Sequence, residues 1–139
     1  MTKEDIRDFS MKITQCSKTG LVVITYEIIE NYLNSAIECH KKMDIAGFRF
    51  NIKKAKQFLN DLSSSLDFNY KISFDLMSLY MFINNRLVSA SVRKSVDLLD
   101  ECLNIIGSLK SAFGKIEGED KRGKVMPNSD QVYVGLTYG

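Results

Sequence analysis

The feature that most constrains this chain is the position of its single proline. That residue is Pro127, so the first 126 residues contain no proline. Proline lacks a backbone donor and clashes with the preceding helical turn, so a proline-free stretch permits long uninterrupted helices. A chain of 139 residues also has the length of one domain that can bury a core without disulfides or metals. We therefore expect one all-α domain.

Apolar residues recur at spacings of three and four in four segments, as they do on one face of a helix. These segments are 21–43, 48–66, 72–90 and 92–113. Consecutive helices joined by a few residues run antiparallel, so the pattern predicts an antiparallel up-down four-helix bundle. An α-solenoid is the rival architecture, but no self-similar period relates the segments.

The spacing also predicts which side chains form the core. In the first helix the stripe is Leu21, Ile24, Ile28, Tyr32 or Leu33, Ala36, Cys39 and Met43. In the second helix it is Phe48, Ile52, Ala55, Leu59, Leu62 and Leu66. In the third it is Ile72, Leu76, Leu79, Ile83, Leu87 and Ala90. In the fourth it is Val92, Val96, Leu99, Leu103 and Ile106, flanked by Leu98, Cys102, Ile105, Leu109 and Phe113.

Two segments flank the predicted bundle domain, which we place at residues 1–116. Ahead of the long helices, Ile6, Phe9 and Ile13 form a short helical pattern that can lie across the bundle. After them, glycines punctuate a charged run, and residues 117–139 are expected to form a flexible tail. The apolar end of this tail, VYVGLTYG, is either a docking segment, a segment that folds back on the bundle, or disordered chain.

Charge and composition exclude several classes of function. The formal net charge is +2, with 19 basic and 17 acidic side chains interspersed, so nothing in the totals indicates a nucleic-acid partner. The N-terminus lacks a secretory signal pattern, and no stretch approaches the ~18 apolar residues of a membrane span. Three cysteines in no metal-ligand spacing are typical of a reducing compartment. We expect a cytoplasmic protein without membrane insertion.

The sequence contains no recognisable arrangement of catalytic residues. The single histidine, His40, directly follows Glu38 and Cys39, and neighbours at this spacing do not face each other on a helix. There is no Glu-x-x-His pair, no Gly-rich phosphate loop and no Ser/His/Asp set. We predict no enzyme activity, no cofactor and no metal site.

Surplus apolar residues are the positive signal for function. The first helix carries Val22, Tyr26, Ile29 and Leu33 beside its predicted stripe, and the third carries Phe74, Met77, Tyr80, Met81 and Phe82. A bundle helix normally shows one apolar stripe of about 100 degrees. The extra residues therefore either meet a neighbouring helix, the N-terminal segment or another subunit, or they form a groove for a partner helix.

Two sequence blocks resemble the FliS family of flagellar export chaperones. They are KAKQFLNDLSSSLD at 54–67 and LYMFINNRLVSAS at 79–91. The resemblance is collinear from about Thr14 to Ile116, and it departs from the family in lacking a proline in the cap before the first long helix. The matching positions in the two blocks are Lys54, Ala55, Leu62, Leu66, Asp67, Leu79, Tyr80, Arg86, Leu87 and Ala90.

This resemblance implies a function and a set of partners. It implies a cytosolic chaperone that binds the disordered C-terminal segment of flagellin, prevents premature polymerisation and assists delivery to the flagellar type III secretion apparatus. Export gate components and a second copy of the chain are further expected partners. The competing hypothesis is a structural or regulatory bundle that uses its apolar faces for self-association.

The flagellin-binding hypothesis has its own candidate residues. Those for binding are Ile6, Phe9, Val22, Tyr26, Ile29, Leu33, Met77, Tyr80, Met81 and Phe82. Leu79, Ile83, Leu87 and Ala90 are assigned to the core. Arg86 lies beside this stripe and either scaffolds the bundle or pairs with a carboxylate of the bound segment.

Overall fold

Four long helices form the described part of the chain. The structure, a computed structural model, describes residues 1–8 and 18–121. The helices are α1 (Lys18–Lys41), α2 (Ile45–Ser64), α3 (Ile72–Arg93) and α4 (Val96–Lys121). Residues 3–8 are also helical, and no strand occurs among the described residues. The all-α prediction is confirmed.

The helices form a closed ring of four neighbours. α1 packs against α2 and α4, and α3 packs against the same two helices. The connections contain only three, seven and two residues, so consecutive helices must run antiparallel. His40 Nε2 at the end of α1 lies 3.1 Å from the carbonyl oxygen of Lys94 between α3 and α4. This contact places both connections at one end, as an up-down bundle requires.

The predicted core face of α2 is the face that the structure buries. Phe48, Ile52, Ala55, Leu59 and Leu62 are all at most 2% exposed, and Leu66 beyond the helix end is also buried. On α4, the buried residues are Leu99, Cys102, Ile106 and Phe113. Val92, which the spacing placed at the start of the fourth stripe, instead lies near the end of α3 and is exposed.

The core face of α1 differs from the predicted one. Val22, Tyr26, Ile29, Leu33 and Ala36 are fully buried and belong to the main core cluster. Ile24 and Ile28 are buried outside that cluster, and Met43 is exposed. Because α1 has apolar residues on two adjacent faces, spacing alone does not select the inward one. This finding corrects the prediction that Val22, Tyr26, Ile29 and Leu33 line an exposed groove.

α3 buries four of the six residues of its predicted stripe, namely Leu76, Ile83, Leu87 and Ala90, whereas Ile72 is exposed. Its buried residues are Ser73, Leu76, Tyr80, Ile83, Leu87 and Ala90. Leu79 is only partly buried at the edge of the core, whereas Tyr80 is 1% exposed. Tyr80 therefore does not lie at an exposed groove rim. Its hydroxyl shares a hydrogen bond of 2.6 Å with the hydroxyl of Tyr26, which removes the cost of burying two polar tips.

Arg86 connects α3 to α4. Its Nε lies 3.4 Å from Glu101 Oε1, and its guanidinium lies 4.8 Å from the centre of the Phe82 ring. The charged side chains are both 42% exposed, so the ion pair contributes modestly to stability. This position fits the scaffolding role, while contact with a partner carboxylate stays a prediction.

Both predicted flanking segments lie partly outside the described residues. α4 continues to Lys121, five residues beyond the predicted boundary of the bundle at residue 116. The rest of the predicted tail, residues 122–139, lies outside the described residues. Phe9 and Ile13 also lie outside them.

Asp44 and Gly47 form the break between α1 and α2. Asp44 Oδ1 accepts a hydrogen bond of 2.9 Å from the backbone N–H of Gly47, so Asp44 is the N-cap of α2. A Cβ on Gly47 would clash with this carboxylate and approach Cys39 Sγ to 2.8 Å. Glycine is therefore favoured here, because a Cβ would have to displace the side chains of Asp44 and Cys39.

We expect Gly47→Ala to lower the free energy of unfolding by about 1 to 3 kcal/mol, because the new methyl disturbs both the cap and the packing of Cys39. Urea denaturation measures the change. The matched control is Gly107→Ala, where a Cβ would only meet Glu30 Oε2 at 3.9 Å. That change should stabilise α4 by about 0.5 kcal/mol or more. Equal effects of the two substitutions would contradict the steric explanation.

A second expected outcome concerns the hydroxyl pair between Tyr26 and Tyr80. Tyr26→Phe and Tyr80→Phe should each destabilise the bundle, since each removes a buried hydrogen bond. The double variant should lose less than the sum of the two, with a coupling energy of about 1 kcal/mol. Denaturation of all four proteins completes the cycle, and strictly additive effects would show that the hydroxyls do not interact.

Candidate functional site

The exposed apolar side chains of the described residues are concentrated on α3. Ten large hydrophobic residues are exposed, and six of them belong to this helix. They are Ile72, Phe74, Met81, Phe82, Val88 and Val92. α1 contributes none of the ten, although its sequence is strongly apolar. The candidate binding surface of the bundle therefore lies on α3.

Five residues form a continuous line along the solvent side of α3, and we call this line the outer stripe. They are Phe74, Ser78, Met81, Asn85 and Val88, and all five are exposed. Their spacing alternates between four and three residues, which keeps them on one face of the helix. None carries a charge. The outer stripe follows directly from the inward rotation of Tyr80, because a core face fixes the opposite face of the same helix.

The apolar surface extends beyond the N-terminal end of α3. Phe68, in the connection between α2 and α3, is 44% exposed. Its ring centre lies 5.1 Å from that of Phe74, in a tilted arrangement. Aromatic pairs prefer this geometry. The pair therefore forms a broad aromatic end to the outer stripe.

A groove between α2 and α3 runs beside the outer stripe. Its volume is about 210 Å³. Tyr80 contributes to its lining, and the other lining residues are Asn60, Ser63, Met77, Met81, Asn84 and Asn85. All of these side chains are uncharged. Methionine side chains are flexible and polarisable, so they can adapt to ligands of different shapes. Met81 belongs to both surfaces, so the groove and the outer stripe form one site.

Asn84 supplies a polar group to this groove. Its Oδ1 is inaccessible to solvent and has no hydrogen-bond partner within residues 1–8 and 18–121. A buried acceptor without a partner costs free energy, typically about 1 to 3 kcal/mol. A ligand side chain that donates a hydrogen bond could recover this cost once the Asn84 side chain turned to expose the acceptor. The groove is therefore suited to a helix that offers polar side chains along with apolar ones.

The buried thiol of Cys102 has the wrong chemistry for a nucleophile. Desolvation, together with the neighbouring Glu101 carboxylate, raises the pKa of Cys102 to about 12. The thiol therefore stays protonated at neutral pH. Among the described residues, no group of three or more His, Cys, Asp or Glu side chains is placed to hold a metal ion.

The structure divides the candidate residues into three groups. Met77, Met81 and Phe82 lie on the accessible sides of α3, and Ile6 is exposed in the N-terminal helical segment. Val22, Tyr26, Ile29, Leu33 and Tyr80 are buried in the core. Phe9 lies outside the described residues. Client contact by the accessible residues stays a prediction.

Sequence reasoning missed several members of the site. Val88 and Asn84 were not among the candidates, and neither were Asn60 and Ser63 of α2. The spacing of Phe74, Met81 and Val88 at seven residues could have revealed the outer stripe. The pairing of α2 with α3 follows from the up-down bundle, but the contribution of Asn60 and Ser63 depends on the rotation of α2 about its axis, for which these polar residues give no signal.

The chain also matches a known protein family in sequence. The sequence profile of the family described as "Flagellar protein FliS" matches residues 3–120, which is most of the chain. The chain belongs to the FliS family. This result confirms the resemblance seen in the two sequence blocks. A comparison with curated protein sequences gave no significant match.

Membership gives a coarse function. FliS proteins are flagellar export chaperones, and the family is not known for enzymatic activity. This FliS protein is therefore a flagellar export chaperone whose exposed apolar surface lies on α3. None of its described helices has the length and hydrophobicity needed to cross a membrane.

The raised pKa of Cys102 predicts how the stability of this FliS protein depends on pH. The pKa of the thiol is about 12 in the folded protein, against an ordinary value of 9.0 that applies to the unfolded chain. Only the unfolded state therefore loses its proton between these values. Stability from this group is complete below pH 9 and declines as the pH rises towards 12, by up to about 1.4 kcal/mol per pH unit.

The measurement is urea denaturation across this pH range. Cys102→Ala serves as the reference because it lacks the thiol, while all other titrating groups remain. The difference in stability between the two proteins should be constant below pH 9 and shrink above it. A constant difference throughout would contradict a raised pKa.

Proposed function

We propose that this FliS protein binds the disordered C-terminal segment of flagellin along the outer stripe and the adjoining α2–α3 groove. In doing so it covers, in the cytoplasm, a segment that would otherwise polymerise too early, and it assists delivery to the flagellar type III secretion apparatus. One observation carries the proposal. Exposed apolar side chains cluster on α3, on a line without charges.

The dimensions of the outer stripe fit a helical client. From Phe74 to Val88 the helix rises by about 21 Å. This length matches about four turns of a second helix lying alongside. An amphipathic segment that is disordered when free can fold on such a face and bury its apolar side. The apolar area that it buries must exceed the cost of ordering it, about 2 to 5 kcal/mol.

The groove residues allow client side chains of different shapes to bind. Met77 and Met81 can adjust their rotamers to client side chains of different shapes, because their chains are unbranched. Asn84 offers an acceptor that the described residues leave unused. A side-chain donor of the client would satisfy this acceptor once the Asn84 side chain turned towards the groove, since the backbone N–H groups of a helical client are bonded within the helix. Together these features favour recognition of a pattern of apolar residues over one unique sequence.

The same surface explains how binding prevents polymerisation. A segment whose apolar face is covered by α3 cannot present that face to other flagellin molecules. Release then needs no chemical step, because the contacts are noncovalent and the client loses its fold when it leaves. Transfer to export gate components can therefore proceed by competition for the client or for the chaperone surface.

Calorimetry with a peptide of the flagellin C-terminal segment tests the proposal. The wild-type protein should bind the peptide with a negative heat-capacity change, which marks burial of apolar area. The double variant Met81→Gln/Val88→Asn should bind at least about tenfold more weakly, because two apolar contacts at the centre of the outer stripe become polar.

The matched control is Phe50→Ser on α2, which also replaces an exposed apolar residue but lies outside the site. Its affinity should equal that of the wild type. Absence of binding at high micromolar peptide would sink the proposal, as would an equal loss in the control. Light scattering adds one more arm. A dimer that excludes the peptide and is dissociated by Met81→Gln/Val88→Asn would favour self-association instead.

A further inference from the structure

One end of the bundle carries the same local combination of residues twice. The end of α1 and the start of its connection to α2 read Lys41-Lys42-Met43, and the end of α3 and the start of its connection to α4 read Val92-Arg93-Lys94. Each contains two basic residues next to an apolar one. The apolar side chains are the most exposed in the described structure, with Met43 at 86% and Val92 at 72%. Such exposure of apolar side chains next to positive charges indicates an interaction surface.

The two connections lie side by side. His40 Nε2 is 3.1 Å from the carbonyl oxygen of Lys94, and Arg49 Nε donates a hydrogen bond of 3.2 Å to the carbonyl oxygen of Ser91. These contacts join α1 and α2 to the end of α3. Both basic pairs and both apolar side chains therefore belong to one surface, which we call the basic end.

The basic charge continues along α2. Between Ile45 and Asn60 this helix contains four basic residues and no acidic one. They are Arg49, Lys53, Lys54 and Lys56. Lys54 lies over the ring of Phe50, with Nζ 5.6 Å from its centre, and Phe50 is itself 49% exposed. The basic end thus combines positive charge with three exposed apolar side chains.

The acidic residues near this surface offset only part of its charge. Glu38 lies 3.2 Å from Lys41, but the Lys41 side chain is still 67% exposed. The Asp44 carboxylate is engaged as the N-cap of α2. Asp97 and Asp100 lie in the first two turns of α4, which packs against α1 and α3 and not against α2. Lys42, Arg49, Lys53, Arg93 and Lys94 have no acidic partner among the described ion pairs.

We propose that the basic end docks reversibly on the surface of an anionic lipid bilayer. The lysine and arginine side chains would lie against headgroup phosphates, and Met43, Val92 and Phe50 would enter the interfacial region. Clustered basic residues with interspersed apolar ones bind anionic bilayers in this way without crossing them. The attraction falls off within a Debye length, so binding should weaken with salt.

The shape of the surface favours a bilayer over an acidic peptide. Met43 lies on the chain reversal between α1 and α2, and Val92 lies in the last turn of α3, next to the reversal that leads to α4. A planar partner can meet both reversals at once, whereas a peptide is bound best by a groove that surrounds it. The groove of this molecule lies elsewhere, between α2 and α3, and its lining is uncharged.

Vesicle flotation with the full chain and no flagellin tests the proposal, so its outcome is independent of client binding. The protein should float with phosphatidylcholine vesicles that contain phosphatidylglycerol. It should stay unbound with phosphatidylcholine alone, and high salt should release it from the anionic vesicles. No binding to the anionic vesicles at low ionic strength overturns the proposal, as does equal binding to neutral vesicles.

Charge reversal maps the surface. Lys42→Glu/Lys94→Glu should weaken binding at least about tenfold. The control Lys71→Glu/Lys115→Glu makes the same change in net charge at the opposite end of the bundle and should stay within about twofold of the wild type. An equal loss in both pairs would show a net-charge effect and overturn the assignment to the basic end.

The contribution of Met43 and Val92 to bilayer binding can be tested with a variant that should keep the fold. Met43 adopts a left-handed backbone with a φ of 60°, which asparagine tolerates better than methionine does. Met43→Asn/Val92→Ser should therefore fold normally and bind anionic vesicles several-fold more weakly. Retained wild-type binding would overturn the interfacial role of these side chains. A final experiment adds soluble polyglutamate as a competitor of the vesicles. Preferential binding to polyglutamate would overturn the proposal, because it would show that the basic end binds an acidic protein segment.

Discussion

The burial of Tyr26 on the inward face of α1 is the interaction on which the rest of the bundle depends. Tyr26 is fully buried, its hydroxyl is hydrogen-bonded to Tyr80 of α3, and its ring centre lies 5.8 Å from that of Phe113 in α4. α1 also packs along α2. One side chain therefore links the rotation of α1 to two other helices. Because a buried tyrosine needs a partner for its hydroxyl, this link sets the rotation of α3 as well.

The rotation of α3 decides which surface the chaperone can offer to a client. With Tyr80 turned inward, the opposite face carries Phe74, Met81 and Val88 without an intervening charge. The binding modes that we propose for the outer stripe and the basic end rest on different physics. Binding at the stripe would depend on burial of apolar area, whereas binding at the basic end would depend chiefly on screened electrostatic attraction.

How far sequence reasoning succeeded differs from helix to helix for one physical reason. On α2 the remaining faces carry Arg49, Lys53, Lys56 and other polar residues, so only one apolar stripe exists and every predicted core residue is buried. α1 and α3 carry apolar residues on adjacent faces, so periodicity gives more than one solution. Four residues that were predicted to bind a client are instead buried on α1, where the choice between two apolar faces was most ambiguous. They are Val22, Tyr26, Ile29 and Leu33. On α3, the predicted binding residues Met77 and Met81 are accessible, because they line the groove between α2 and α3.

The class of fold, the number of long helices, the order in which they are neighbours and the family could all be predicted from the sequence. They could be predicted because proline absence, apolar spacing and local turn residues act within a few residues of each other along the chain. The inward faces of α1 and α3, and the contribution of Asn60 and Ser63 to the groove, emerge only in the folded bundle. They depend on the rotation of each helix about its own axis, and on the need of buried hydroxyl groups to find partners across the core.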